Sequence, residues 1–136
     1  MKLLDTTFLI HYWGGVDDVA SYLEANEDAE FITTTLNIKE IVVGRELQGQ
    51  LSRPEIRFTF DWVRIVPFQT DHAFIAGELE ATLHRDESVN RNKINALAGD
   101  LLIAAVAKDQ NATVVTENVD DFERFDGVSV EGYHGD

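Results

Sequence analysis

The chain has no cysteine, which removes disulfides, thiolate nucleophiles, iron–sulfur clusters and cysteine-based zinc sites in one step. That absence fits a reducing compartment, and a cytoplasmic location is expected. No apolar run approaches the roughly 18 residues a membrane span needs, and the opening MKLLDTTFLI places an acid inside its short apolar run, so no membrane association or cleaved leader is expected. Internal repeats, Pro/Gly-rich linkers and low-complexity tracts are also missing. The 136 residues are therefore expected to form one domain, 1–136, long enough to bury about two-thirds of the unfolded surface.

Basic residues are scarce: 11 Lys and Arg stand against 25 Asp and Glu, a formal charge of −14, and lysine is rarer than arginine. Such a surface repels nucleic acid at low ionic strength. The chain is nevertheless 44% hydrophobic and regularly patterned, so the acidity is not that of a disordered tail. A high-salt cytoplasm is the expected setting, because the Debye length shrinks to about 3 Å at 1 M and self-repulsion is screened.

Lys2 to Asp5 reads as a short apolar strand ending in an acid, followed by a helix in TTFLIHYW and a second from Val16 to Asn26. Glu30 to Thr33 reads as a second strand running into a threonine triplet and a helix in LNIKEIVVGREL. Within it, Asn37 and Glu40 stand at the spacing of a capping box. Pro54 marks the start of a helix reaching about Trp62, Arg64 to Pro67 a third strand, and Asp71 to His84 a further helix. RDESVNRNKI is polar, a loop or short helical excursion. A helix from about Ala98 to Gln110, a strand from Ala112 to Thr116, a helical turn in ENVDDFERFDG and a strand near Val128 to Val130 complete the chain. Strands alternating with helices predict an α/β fold, a mainly parallel sheet of about five strands covered on both faces.

ALAGDLLIAAVA, residues 96–107, organises the rest, because its one charged residue, Asp100, lies in an otherwise aliphatic segment. A buried carboxylate needs the amides of a helix N-terminus, a basic side chain or a metal ion. In a parallel sheet with right-handed crossovers, all strand C-termini and the starts of the following helices share one edge. Asp5, Glu40, Asp100 and the Asn118/Asp121 pair are thus expected on one rim. Crowded carboxylates repel unless a cation lies among them, and an all-oxygen donor set favours Mg²⁺, with Mn²⁺ as a substitute, over zinc. Such an ion activates water for attack on a phosphodiester.

LLDTTFLI, TTLNIKEIVVGREL and AGDLLIAAVAKDQNATVVTENVDDFERFDGVSV, in that order, resemble a PIN domain, most closely the VapC-type ribonuclease toxins, over nearly the whole chain. The resemblance implies a three-layer α/β/α sandwich. It makes Asp5 and Asp100 the principal Mg²⁺ ligands and Glu40 a third acid that shares the metal and activates the attacking water. Asn118 falls where many family members carry a fourth acid, leaving Asn118 or Asp121 to complete the site. Thr6 and Thr116 become supporting hydroxyls. It further implies an endoribonuclease acting as the toxin of a type II toxin–antitoxin pair, with an RNA substrate, a small antitoxin partner and a homodimer.

Plainer readings exist for each residue. Asp5 also fits an N-cap, and Glu40 the return half of a capping box with Asn37. His11, His72, His84 and His134 lack the spacing of a paired-histidine metal site and read as surface or satisfied core residues. Lys39, Arg45, Arg85, Arg91 and Lys93 are candidates for an RNA backbone, or simply balance an acidic surface. A receiver-type signalling domain also gathers acids at such an edge, but needs a paired acid after the first strand and a late lysine, where this chain has LLDTT and TENVD. A PIN-like interaction module without turnover is the alternative within the same fold.

The charge balance generates a first prediction. The thermal unfolding midpoint should rise from dilute buffer to molar potassium chloride, and a flat profile would remove the high-salt reading.

Overall fold

A computed structural model describes residues 1–134. Five short strands form one sheet: β1 (Lys2–Leu4), β2 (Phe31–Thr34), β3 (Arg64–Val66), β4 (Thr113–Val115) and β5 (Ser129–Glu131). Their spatial order is β3-β2-β1-β4-β5 and every pairing is parallel. The chain therefore starts at the centre and winds outward in both directions. β1, flanked by β2 and β4, leads its C-terminal end into the crevice where the winding direction changes, the usual ligand position in open parallel sheets.

Helices cover both faces. α1 (Thr6–Trp13), α2 (Asp17–Ala25), α3 (Thr35–Leu47) and α4 (Arg53–Thr59) supply most of one apolar layer, with Phe8, Leu9, Val19, Ile41, Ile56 and Phe60. α5 (Thr70–Arg85), α6 (Arg91–Ala96), α7 (Ala98–Gln110) and the single turn α8 (Val119–Phe122) build the other. The period-2 alternation of strands sorts neighbours between layers: Leu3 and Val114 join the α7 side, Leu4 and Val115 the α1 side. The expected α/β/α arrangement with a parallel five-stranded sheet is what the chain forms.

Local details depart from the sequence expectation where short polar signals decide. The helix begun near Pro54 stops at Thr59, short of Trp62, whose indole N–H donates to the Thr59 carbonyl. The polar RDESVNRNKI stretch becomes helical from Arg91, because the Asn90 side chain caps the Lys93 amide at 2.8 Å. α7 ends on Asn111 in the left-handed conformation (φ 54°), a geometry asparagine tolerates.

α7 is the most deeply buried helix, with Ile103, Ala104, Ala105, Val106 and Ala107 essentially inaccessible. Its alanines leave no room for larger side chains. Ala104→Leu should lower stability by about 1–3 kcal/mol through overpacking, read as a fall in the urea midpoint.

Candidate functional site

Asp5 follows β1 directly and occupies the N-cap position of α1, yet its side chain makes no capping hydrogen bond. The plain N-cap reading of Asp5 therefore fails for the side chain. The carboxylate, only 3% exposed, turns into the sheet edge. Oδ2 accepts from the Thr116 hydroxyl at 2.8 Å, and Oδ1 from the Asn37 side-chain amide at 3.2 Å. Thr116 directly follows β4 and also accepts from the Asn118 backbone amide at 3.0 Å. The donors thus come from the segments that follow the strands flanking β1.

The structure corrects one helix-start reading. Thr34, not Asn37, caps α3: its hydroxyl accepts from the amides of Leu36 and Asn37 and donates to the Asn37 side-chain oxygen at 2.6 Å. Asn37 is the third helical residue and the return half of that box, accepting from the Thr34 amide at 3.2 Å. Its Nδ2 is left to donate to Asp5 and to the Thr6 hydroxyl at 3.0 Å. Glu40, one turn further on, has no capping role. It lies exposed on the face that looks toward the Asp5 rim, with Thr6 as a hydrogen-bonding neighbour.

Asp100 lies in the first turn of α7 and is half-buried. All three acids are held above the ordinary carboxyl range. For Asp5 burial is the cause, opposed by the Thr116, Thr6 and Asn37 hydrogen bonds. For Glu40, exposed as a residue but with a partly desolvated carboxyl, it is that desolvation and then the charge of Asp5. Asp100 is pushed up to about 7 by burial and by Asp5, Glu40 and Asp121 in turn, with Lys93 opposing. Three sequence-distant acids therefore share one electrostatic neighbourhood.

The remaining candidates divide. Asn118 is exposed, and Asp121 is paired with Lys93 Nζ at 2.9 Å. Lys93 is the candidate base whose charge reaches Asp100. Lys39 acts on Glu40 from the adjacent position, while the Arg45 guanidinium lies 3.6 Å from the centre of the Trp13 ring. Arg45 and Trp13 line a cavity of about 290 Å³ with Glu40, Ile10 and Ile41. Arg85 lines a separate concavity on α5 with Phe74 and Ala81, and Arg91 is exposed at the start of α6. His72 is buried, with its ring nitrogens bonded to the Gln69 amide and to Asp109.

Asp5, Glu40 and Asp100 offer only oxygen donors, which suits Mg²⁺, an ion that keeps several waters and binds through one or two carboxylates. The electrostatics fit too, since the charge of Asp5 that raises Glu40 and Asp100 is relieved by a divalent cation among them.

A parallel sheet with helices on both faces and acids gathered at the central strand ends defines a class of α/β proteins whose site lies at the switch point. Residues 2–128 match the PIN domain, and the chain belongs to that family. Solved structures agree in fold. A chain of the VapBC2 structure from Rickettsia felis bound to a promoter DNA fragment is 21% identical with a TM-score of 0.77, each chain covered to 98%. A toxin–antitoxin complex from Klebsiella pneumoniae gives 22% and 0.71, with 94% of this chain and 95% of that one covered. FitAcB from Neisseria gonorrhoeae gives 24% and 0.69, with 96% of each covered. No curated protein matches the chain.

Sequence reasoning did not identify the role of Asn37. The available signal was the Thr34-x-x-Asn37 spacing, which competes with Asn37-x-x-Glu40 for the same helix start. Lys93 was one basic residue among five, with nothing local to single it out.

The raised acids set a pH dependence for the metal-free protein. Between the ordinary Asp value of 3.8 and about 7, folded Asp100 holds a proton that the unfolded chain has lost. Stability therefore falls as pH rises through that window and levels off for this group above it. In excess chelator the thermal midpoint should fall from about pH 4 to about pH 7. Asp100→Asn should flatten much of that slope and raise the midpoint at neutral pH.

Proposed function

We propose that this PIN domain, spanning residues 1–136, is a Mg²⁺-dependent endoribonuclease and the toxin of a type II toxin–antitoxin pair. The observation that carries the reading is the gathering of Asp5, Glu40 and Asp100 at the end of the central strand, where the charge of buried Asp5 raises the other two. Packing alone gains nothing from three repelling carboxyls, whereas cation binding does.

Asp5 and Asp100 would hold the ion, with Mn²⁺ as a substitute, and Glu40 would share it. A bound divalent cation polarises a phosphoryl oxygen and makes water a competent nucleophile near neutral pH. Asn37 and Thr116 fix the Asp5 carboxylate by one hydrogen bond to each oxygen, so its orientation does not depend on the ion. Glu40, exposed and raised in pKa, accepts the proton of the attacking water at its carboxylate. Lys93 occupies Asp121, which leaves Asn118 as the polar group free to reach the ion through water. Lys39 and Arg45 flank Glu40 and would bind the phosphates on either side of the cut.

Exposed apolar surface supports protein partners. Leu47 and Phe58 are 83% and 79% exposed, and Ile38, Val42, Ile56 and Ile65 line a groove between α3 and α4. An antitoxin segment fits such a groove, and exposed Phe74 on α5 suits a second copy of the chain. The similar Klebsiella pneumoniae structure is a toxin–antitoxin complex by its own description, which supports the same reading. Among the described residues no helix is long and apolar enough to cross a membrane, in keeping with a cytoplasmic site of action.

Antitoxin-free protein at molar salt should cut total RNA into discrete fragments with Mg²⁺ and not with excess chelator. Asp5→Asn and Asp100→Asn should each reduce the rate by at least about a hundredfold. Unchanged cleavage in either variant overturns the mechanism. No cleavage by folded parent protein under any condition assigns the chain to the non-catalytic interaction class.

A further inference from the structure

The four histidines share no sequence motif, yet two of them meet in space. His11 lies in the last turn of α1, Glu117 follows β4, and His134 follows β5. One ligand atom from each lies within 4.8 Å of the others. The bonds around the rings set their orientation. His11 Nδ1 faces the Tyr133 hydroxyl at 2.6 Å, and His134 Nδ1 faces the Asp18 carboxylate at 2.7 Å. His134 Nε2 lies 3.0 Å from Glu117 Oε1.

We propose that His11, Glu117 and His134 form a second metal site, distinct from the all-oxygen rim, that binds one divalent transition ion of the zinc class.

Two imidazoles and a carboxylate suit Zn²⁺, Co²⁺ or Ni²⁺ rather than Mg²⁺, because imidazole nitrogen is too soft a donor for the harder ion. Each imidazole already has the outer partner that metal-binding histidines use. The tautomer that gives Nδ1–H to the Tyr133 oxygen leaves His11 Nε2 with its lone pair. Asp18 holds the Nδ1–H of His134 in the same way, a carboxylate–histidine arrangement that aims Nε2 at an ion. Zn–N and Zn–O bonds of about 2.0–2.2 Å place tetrahedral neighbours roughly 3.3–3.5 Å apart. The 3.0 Å gap between His134 and Glu117 is already close to that span. The proton now shared there is what the ion displaces.

Tyr133 fixes the geometry from below. It is 5% exposed, its ring centroid lies 4.5 Å from that of His134, and it packs edge-on against buried Phe8. The ion would tie the segment after β5 to α1 and to the loop that opens with Thr116, the donor to Asp5. Three protein ligands leave a fourth position open for water or an incoming donor.

Calorimetric titration of the tag-free, chelator-stripped chain with ZnCl₂ in excess MgCl₂ tests the site. One Zn²⁺ per chain is expected, together with a rise in thermal midpoint on binding. His134→Gln, at an exposed position, and His11→Gln should each weaken binding by about a hundredfold or more, and Asp18→Asn by about tenfold. Circular dichroism establishes that each variant is folded. Absence of Zn²⁺ binding, displacement by the excess Mg²⁺, or an affinity unchanged in either folded histidine variant overturns the proposal. RNA cleavage is not the readout, so the outcome is independent of the nuclease reading.

Discussion

The burial of Asp5 at the C-terminal end of the central strand is the constraint around which the rim is arranged. A carboxylate 3% exposed needs donors from the protein, and among the described residues no basic side chain hydrogen-bonds to it. Its side-chain donors are neutral groups, the Asn37 amide and the Thr116 hydroxyl, and the Thr6 backbone adds a third neutral bond. Neutral donors orient the acid without cancelling its charge. The negative potential that remains is what lifts Glu40 and Asp100. A lysine within bonding distance of Asp5 would have made a stable ion pair and abolished the site.

Lys93 shows where such neutralisation is tolerated. It pairs with the outer acid Asp121, and of the inner three only Asp100 feels its charge. The rim is therefore graded, with neutral support beneath Asp5, raised acids around it and a compensating cation at the periphery. Each layer rests on the topology, because only a parallel sheet brings the ends of β1, β2 and β4 and the first turns of α1, α3 and α7 to one edge.

Alternation of apolar and polar segments was enough to read the parallel sheet, the burial of α7 and the acids that meet at its start, because each depends on local pattern and the handedness of crossovers. What was not legible depends on competition between nearby signals or on contacts across the fold. Asn37 could serve as the cap for Glu40 or as the return partner of Thr34. The choice falls to Thr34, because β2 delivers that residue to the helix start with its hydroxyl free. The pairing of Lys93 with Asp121 spans 28 residues, and the contact of His11 with Tyr133 spans 122. No spacing rule reaches that far.

On the nuclease reading, the surface charge and the site make opposite demands on an RNA substrate. A net charge of −14 repels a polyanion at long range, while Lys39 and Arg45 sit beside Glu40, where the proposed contact would fall. The two effects differ in range, and salt separates them. At about 1 M the Debye length is near 3 Å, so repulsion from acids across the molecule is largely removed. A guanidinium or ammonium in direct contact with a phosphate is screened much less. High ionic strength therefore favours approach over repulsion in a protein of this composition, the reverse of the usual weakening of nucleic-acid binding by salt. On the nuclease reading, activity and stability should share one salt optimum, because the same exposed carboxylates limit both.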